Sequence, residues 1–136
     1  MKNFLSVVIP AYNCESTISD TLNSLKSEKL NFINEIIIVN DNSSDNTEKV
    51  ICEFKKNNDL IVLINNSKNF GGGYSRNKGI TISKNNFIFI LDSDNYTDEL
   101  SLEKLFYSAI KYNCGTHHEI AKYFKKKEDI DETYNF

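Results

Sequence analysis

Residues 87–96 read F-I-F-I-L-D-S-D-N-Y, and the rest of the chain is organised around this stretch. Five apolar residues, Phe87 to Leu91, stand in an unbroken run before two carboxylates one residue apart, Asp92 and Asp94. A short apolar run that ends in polar residues predicts a strand buried on both faces. Two carboxylates at the carboxyl end of such a strand are placed to hold a divalent cation and, through it, a diphosphate. The alternative is an ordinary turn, which Asp and Asn favour for backbone reasons alone.

Three earlier stretches show the same pattern of a short apolar run followed by polar residues. The segments between the runs carry apolar residues at helical spacing, which indicates helices with one buried face. The predicted strands are residues 4–9, 35–39, 60–64 and 87–91, and the predicted helices are residues 15–27, 45–56, 74–84 and 100–112. Alternation of strand and helix, with connections too long for hairpins, predicts an α/β fold: an open, mostly parallel sheet flanked by helices.

Local features of these elements carry expectations of their own. Pro10 lacks a backbone N–H and is expected to stop the first strand, and residues 30–34 are expected to form a connection. In the third helix we expect Ile80 and Ile82 to face the core. Gly79, inside that helix, costs about 1 kcal/mol relative to alanine.

Composition narrows the class of protein. At 136 residues the chain is long enough for one domain that buries roughly two thirds of its unfolded surface. A formal net charge of -3 and a pI near 5.4 offer no general attraction to nucleic acid, so we expect no nucleic-acid partner. Three cysteines, Cys14, Cys52 and Cys114, lie too far apart for a zinc site. They are expected to be small apolar core residues in a reducing compartment.

Domain boundaries and location follow from the apolar and charged runs. The run Leu5–Ile9 is too short for the core of a signal peptide, and no run approaches the roughly 18 apolar residues that cross a bilayer. We therefore expect a cytoplasmic chain, or one at most peripheral to the inner face of a membrane. Residues 1–115 form the predicted α/β domain, and residues 116–136 form a predicted charged, solvated tail.

Polar segments that follow parallel strands meet at one edge of the sheet. Ligands of open parallel sheets bind outside the carboxyl ends of the strands, near the point where the strand order reverses. Four segments follow predicted strands in this way: residues 10–13, 40–42, 71–73 and 92–95. Their convergence predicts a ligand site at that edge.

The side chains in these segments each allow two interpretations. Tyr12 is either a half-exposed cap on the sheet or a flat surface on which a base stacks. Asp41 is either a turn residue or an acceptor for a pyrimidine imide or a ribose hydroxyl. Gly71–Gly73 is either a flexible turn or a close approach to a phosphate. Arg76 is either a surface charge or a contact to a diphosphate or a base. The P-loop and dinucleotide signatures are absent, because no Gly-Lys-Ser/Thr follows the glycines and the glycines follow the third strand rather than the first.

Four segments occur in a specific order: S-V-V-I-P-A-Y-N (6–13), E-I-I-I-V-N-D-N-S-S-D-N-T (35–47), G-G-Y-S-R-N-K-G-I (72–80) and I-L-D-S-D-N (90–95). In order and spacing they resemble the motifs of family 2 glycosyltransferases, over residues 4–112. The resemblance implies the GT-A fold, a Rossmann-like domain that binds a nucleotide sugar. It also implies a role in polysaccharide or glycoconjugate biosynthesis, in which a sugar moves from a nucleoside-diphosphate sugar to an acceptor hydroxyl. A UDP-sugar is the favoured donor.

At the nucleoside end, the resemblance implies that Pro10, Ala11 and Tyr12 line the base pocket. It implies that Asp41 hydrogen-bonds the base. The chain departs from the family at Asn40, where a second acid usually precedes this aspartate.

At the diphosphate end, the resemblance implies that Arg76 lies beside the nucleotide and that Asp92 lies near the ribose. Asp94 would bind Mg²⁺ or Mn²⁺ that bridges the diphosphate and stabilises charge on the leaving group. Asn95 stands where the family often has a further acid, and the lost charge implies a weaker metal site.

The family's catalytic domains continue into an acceptor-binding half, which nothing in residues 116–136 resembles. We therefore expect the donor-binding part of a glycosyltransferase, apparently truncated after the D-x-D segment. The general base is not assigned, and the acceptor, a glycan or a lipid-linked sugar, is unknown.

Two other functions compete with this interpretation. One is a non-catalytic nucleotide-binding or interaction module that lacks the acceptor half. The other is a phosphatase of the haloacid dehalogenase type. It is disfavoured because the D-x-D of that class follows the first strand, whereas the D-x-D of this chain follows the fourth.

A sheet that ends at residues 87–91 would leave the backbone groups on one side of that strand unpaired. We therefore expect a homodimer through that edge, or residues 116–136 folded across it.

Overall fold

The computed structural model of the chain describes residues 2–113, which alternate between strands and helices. Cys114 and the predicted tail, residues 116–136, lie outside the described residues. The elements are β1 (Leu5–Ala11), α1 (Ile18–Asn23), a 3₁₀ helix (Glu28–Leu30), β2 (Ile33–Asn40), α2 (Thr47–Lys56), β3 (Ile61–Asn65), α3 (Gly72–Ile82), β4 (Phe87–Ile90) and α4 (Glu99–Tyr112). The order is the predicted one, so the α/β fold is confirmed.

The four strands form a parallel sheet in the order β3-β2-β1-β4. Every residue of β1 is buried, and in β2 Asn34 is the one exposed residue. Their continuous apolar runs reflect this central position, because both faces of the two strands are covered. The chain builds outward from β1 to β3 and then returns to place β4 on the other side of β1. The strand order therefore reverses between β1 and β4, the position at which such sheets bind ligands.

The helices cover the two faces of the sheet unequally. Residues of α1, α2 and α4, among them Ile18, Ile51 and Phe106, join the larger apolar cluster with one face of β1 and β2. The ring of Phe106 stacks on Phe32, with centroids 4.5 Å apart. On the opposite face α3 packs against β1 and β2, over a small cluster centred on Val8. Within residues 2–113, no helix is both long and apolar enough to cross a membrane.

The buried face of α3 differs from the prediction. Ile80 and Ile82 are 37% and 39% exposed, whereas Ser75 and Gly79 are buried. A Cβ atom at Gly79 would lie 2.4 Å from Cγ1 of Val8, so the helix backbone rests almost directly on β1. The expectation that the isoleucines face the core is therefore wrong. Only a residue without a side chain fits where the helix contacts β1, so Gly79 lies there and the larger Ile80 and Ile82 face outward.

Pro10 does not stop β1, as we had expected, because the strand continues through it to Ala11. Along a parallel strand, successive residues form their backbone hydrogen bonds alternately with the strand on one side and the strand on the other. The carbonyl of Val8 accepts a hydrogen bond from the Leu91 N–H, on the β4 side. Pro10 faces that same side, but the β4 pairing ends at Val8. The missing N–H of proline therefore costs no ladder hydrogen bond.

Several element boundaries also differ from the prediction, among them the following three. The first helix is shorter, and a 3₁₀ helix covers residues 28–30. β2 begins at Ile33, inside the predicted connection, because Ile33 pairs with Leu5 and is buried. The third helix begins at Gly72, so two of the three glycines are helical rather than part of the loop.

Candidate functional site

A cavity of about 440 Å³ lies at the carboxyl ends of β1 and β2, beside the start of α3. The seven residues to which the family resemblance gives a role in binding the nucleotide or the metal all line this one cavity. The lining residues are Pro10, Ala11, Tyr12, Asn13, Cys14, Ser16, Thr17, Asp41, Gly72, Ser75, Arg76, Asp92, Ser93 and Asp94. The structure therefore brings together side chains that are more than 80 positions apart in the chain, at the predicted edge of the sheet.

Tyr12 forms an exposed aromatic wall of the cavity, with 51% of its surface accessible, beside the buried Pro10 and Ala11. The chain turns sharply after it, because Asn13 adopts the left-handed conformation with φ 46°. The Asn13 side-chain oxygen accepts a hydrogen bond from the Ser44 amide at 2.8 Å. This contact ties the loop after β1 to the loop after β2 and holds the tyrosine at the mouth of the cavity.

Asp41 is only 2% exposed and is heavily hydrogen-bonded. Its Oδ1 accepts from the Asn66 side-chain amide at 2.8 Å and from the Phe70 backbone N–H at 2.9 Å, and its Oδ2 accepts from the Gly71 N–H at 2.7 Å. Burial raises the pKa of Asp41, but the hydrogen bonds from Phe70, Asn66 and Gly71 outweigh burial and hold the pKa below its ordinary value. The carboxylate is therefore ionised at neutral pH.

The three donors to Asp41 are functional partners that the sequence did not reveal. A carboxylate offers about four acceptor positions, and a further hydrogen bond from the Ser75 side chain also lowers the pKa of Asp41, so contacts within the chain use about all of them. The same Asn66 amide donates to the Ser75 hydroxyl at 3.1 Å, and its oxygen accepts from Lys78 at 2.8 Å. Asp41 and Asn66 thus anchor the glycine loop and the start of α3. The one feature of the sequence that could have indicated these contacts is the position of Asn66 directly after the third strand.

Arg76 and Asp92 form an ion pair within the cavity wall. Nη2 of Arg76 lies 2.7 Å from Oδ1 of Asp92, and the two side chains are 39% and 28% exposed. A Cβ at Gly72 would lie 3.0 Å from Nη1 of Arg76, so the guanidinium packs on a glycine. The family resemblance implied that Arg76 and Asp92 both lie near the nucleotide, but it did not predict an ion pair between them. The pairing orients the first acid of the D-x-D segment before any ligand is bound.

Asp94, the second acid, is exposed, and its carboxylate has no hydrogen-bond or ion-pair partner within residues 2–113. The turn that carries it, residues 92–95, is held by several hydrogen bonds to its backbone. The Asn95 amide donates to the Asp92 carbonyl at 3.0 Å, and the Ser93 carbonyl accepts from the hydroxyls of Thr17 and Thr21 at 3.0 and 2.9 Å. Asp94 is therefore an unpaired anion on a fixed backbone, facing the cavity.

The described part of the chain contains no cluster of three or more His, Cys, Asp and Glu side chains arranged to hold a metal. The residues present fit a different kind of site. Mg²⁺ is commonly held by one or two carboxylates together with phosphate oxygens of the substrate. The unpaired carboxylate of Asp94 beside an open cavity suits that arrangement.

Comparisons with known proteins identify the family of the chain. Residues 6–135 match the family model described as "Glycosyl transferase family 2". The chain is similar to the poly(ribitol-phosphate) beta-glucosyltransferase of Bacillus spizizenii, with 39% identity over 68% of this chain and 15% of that protein. It is also similar to the UDP-Glc:alpha-D-GlcNAc-diphosphoundecaprenol beta-1,3-glucosyltransferase WfaP of Escherichia coli, with 34% identity over 93% of this chain and 53% of that protein.

Solved structures give the same result for the fold. The crystal structure of S. aureus TarS 1-349 in complex with UDP-GlcNAc matches with a TM-score of 0.70 and 25% identity, over 81% of this chain and 32% of that chain. The chain thus spans a third of this structure and between 15% and 53% of the length of the two curated relatives. The family match also runs past residue 115, so the predicted domain boundary there stays a prediction. Because residues 6–135 of this 136-residue chain match the family model, the chain belongs to glycosyl transferase family 2.

Proposed function

We propose that this chain binds the donor of a sugar-transfer reaction, a nucleoside-diphosphate sugar, and that the donor is a UDP-sugar. The observation that carries the proposal is the convergence of Tyr12, Asp41, Arg76 and the Asp92–Asp94 turn around one cavity. The transfer would belong to the synthesis of a polysaccharide or another glycoconjugate, as the names of the similar proteins suggest.

The nucleoside end of the donor would lie against Tyr12 and Asp41. The exposed face of the Tyr12 ring offers a stacking surface for a planar base. The Asp41 carboxylate, ionised at neutral pH, only accepts hydrogen bonds, which suits the N–H of a uracil imide. Pro10 and Ala11 would close the pocket from below. Two structural neighbours are complexes with UDP and with UDP-GlcNAc, which supports the choice of uracil.

The diphosphate end would lie over the D-x-D turn. Asp94 would hold Mg²⁺ or Mn²⁺ together with diphosphate oxygens, Asp92 would lie near the ribose, and Arg76 keeps N–H groups free of the ion pair to donate to phosphate. When bound, the cation supplies charge stabilisation to the departing diphosphate. In the transfer itself, an acceptor hydroxyl gives up its proton and its oxygen bonds to the anomeric carbon as the bond to the diphosphate breaks, and the nucleoside diphosphate leaves. We assign no general base.

A thermal-shift and calorimetric titration with UDP, with and without MnCl₂, tests the proposal. We expect UDP with Mn²⁺ to raise the melting temperature of the chain, and Asp94→Ala to remove the metal-dependent part of the shift. The control is Asp59→Ala, which removes an exposed acid before β3, at the opposite end of the strands. No shift at millimolar UDP with Mn²⁺, or an equal loss in the control, contradicts the proposal.

An assay for UDP release from UDP-glucose and UDP-GlcNAc separates the two remaining functions. Release of UDP by the chain would show that it breaks the bond between the sugar and the diphosphate, the bond that a transferase breaks. Binding without turnover would favour the non-catalytic nucleotide-binding module.

We further propose that the free edge of β4 is covered, either by a second copy of the chain or by residues 116–136. Within residues 2–113, β4 pairs only with β1, and Ile90 on it is 40% exposed. A row of backbone groups without partners favours pairing with another strand or segment.

A further inference from the structure

We propose that Thr17, the N-cap residue of α1, and Thr21, within α1, are positioning residues for Asp94, acting through the carbonyl of Ser93. The two hydroxyls would hold the backbone of the D-x-D turn so that the second carboxylate points into the cavity. This inference rests on the proposed function, in which Asp94 holds a cation. Its structural part can nevertheless be measured on the chain alone.

The contact joins segments far apart in the chain. Oγ1 of Thr17 donates to the Ser93 carbonyl at 3.0 Å, and Oγ1 of Thr21 donates to the same oxygen at 2.9 Å. The two threonines are four residues apart and therefore lie on one face of the helix. A carbonyl oxygen has two lone pairs, and here both accept a hydrogen bond.

Each hydroxyl carries a single hydrogen and has a second acceptor within its own helical turn. For Thr17 this acceptor is the Cys14 carbonyl at 3.4 Å, and for Thr21 it is the Thr17 carbonyl at 3.5 Å. Both distances exceed those to Ser93 by at least 0.4 Å and lie beyond the ordinary O–H···O range. Both hydrogens therefore point across to the turn rather than along the helix.

The consequence falls on Asp94 because a peptide unit is planar. When the Ser93 carbonyl is fixed, the N–H and Cα of Asp94 are fixed with it. The turn is also closed by the Asn95 amide, which donates to the Asp92 carbonyl at 3.0 Å. The Asp94 carboxylate has no partner within residues 2–113, so among the described residues it is this backbone that sets where its Cα and Cβ lie beside the cavity.

A third hydroxyl extends the same contact along α1 to the residues after the turn. Oγ of Ser24 accepts from the Thr97 amide at 3.1 Å and donates to the Thr21 carbonyl at 2.7 Å. Thr21 and Ser24, at the end of α1, thus hydrogen-bond the backbone of Ser93 and of Thr97, two positions that follow β4. Thr21 itself is 1% exposed, so valine would keep its volume and remove only the hydrogen bond.

The first experiment measures hydrogen exchange of the ligand-free chain by NMR. We expect the Asn95 amide to exchange roughly five- to tenfold faster in Thr17→Val and in Thr21→Val, the loss of about one neutral hydrogen bond. Amides of β1 and β2 should be unchanged, and Thr21→Ser should restore the slow exchange. The control is Ser6→Ala, which removes another buried hydroxyl, bonded to Glu35 at 2.7 Å at the other end of β1. Unchanged Asn95 exchange in both valine variants overturns the inference.

The second experiment measures UDP affinity by calorimetry, with MnCl₂ and with EDTA. We expect Thr21→Val to reduce the strengthening of UDP binding by Mn²⁺ by about fivefold, with metal-free affinity unchanged and with rescue by Thr21→Ser. Ser6→Ala should keep the full strengthening, even though it lowers stability.

The outcomes distinguish the two proposals. If wild-type chain binds UDP no better with Mn²⁺, the proposed metal role fails, and the positioning role fails with it. If the wild type shows the strengthening and Thr21→Val keeps it in full, the inference about the threonines fails while the proposed function stands.

Discussion

At the scale of single residues, the site depends on polar groups that are already paired. Asp41 accepts three hydrogen bonds and Arg76 holds Asp92, so two of the predicted ligand contacts also organise the cavity. Preformed contacts of this kind lower the cost of ordering the site when a ligand binds. Asp94 differs, because it has no such partner in the described part of the chain.

The buried carboxylate of Asp41 predicts a dependence of stability on pH. Its folded pKa lies below the ordinary value of 3.8, so its contribution is complete above that value. As the pH falls below 3.8, the unfolded chain takes up a proton first, and the contribution is lost through the folded pKa. We expect Asp41→Asn to lower the free energy of unfolding by about 2 kcal/mol at pH 7.

Urea unfolding of the wild type and Asp41→Asn between pH 7 and pH 2 measures this contribution. The difference between the two proteins should shrink as the pH falls below 4. Asp59→Asn, at an exposed acid, should stay within about 0.5 kcal/mol of the wild type. A difference between wild type and Asp41→Asn that is constant down to pH 2 contradicts the assignment.

At the scale of elements, α3 shows how packing overrides a helical pattern. The isoleucines on this helix predicted a buried apolar side, but the helix approaches β1 through Gly79 instead. The glycine that weakened the sequence-based prediction of a helix is the residue that lets the helix reach the sheet. The same approach brings Ser75 and Arg76 to the cavity.

A matched pair of glycine variants tests this contact. Gly79→Ala places a methyl group 2.4 Å from Cγ1 of Val8, and we expect it to lower the free energy of unfolding by about 1–3 kcal/mol. Gly73→Ala, in the same helix, meets nothing within 4 Å and should be neutral or stabilise by up to about 1 kcal/mol. Equal effects of the two substitutions in chemical denaturation would show that helix propensity, rather than contact with β1, decides the outcome.

At the scale of the whole molecule, the open question is what covers β4. Leu91 donates to β1, so by alternation the N–H of Ile90 points away from the sheet. Light scattering of the wild type should show a dimer, and Ile90→Pro should give a monomer because it removes an outward donor. Ile90→Val keeps the donor and should stay dimeric.

If residues 116–136 cover the edge instead, the wild type should be a monomer in which exchange of the Ile90 amide is slow. A monomer with rapid exchange at Ile90 contradicts both arrangements.

The sequence by itself determined the order of strands and helices, the parallel sheet and the edge at which the polar segments meet. These features follow from local periodicity and from the topology that alternation imposes. Residues Tyr12, Asp41 and Asp94 could be placed at one edge for that reason, before any coordinate was known.

Only the tertiary structure decided which of those side chains are bound to one another. The partners of Asp41 lie 25 to 30 residues away, Arg76 and Asp92 are 16 apart, and Thr21 and Ser93 are 72 apart. Whether such groups meet depends on distances of a few tenths of an ångström between elements, and no periodicity in a single chain encodes them. The close contact between Gly79 and Val8 is of the same kind.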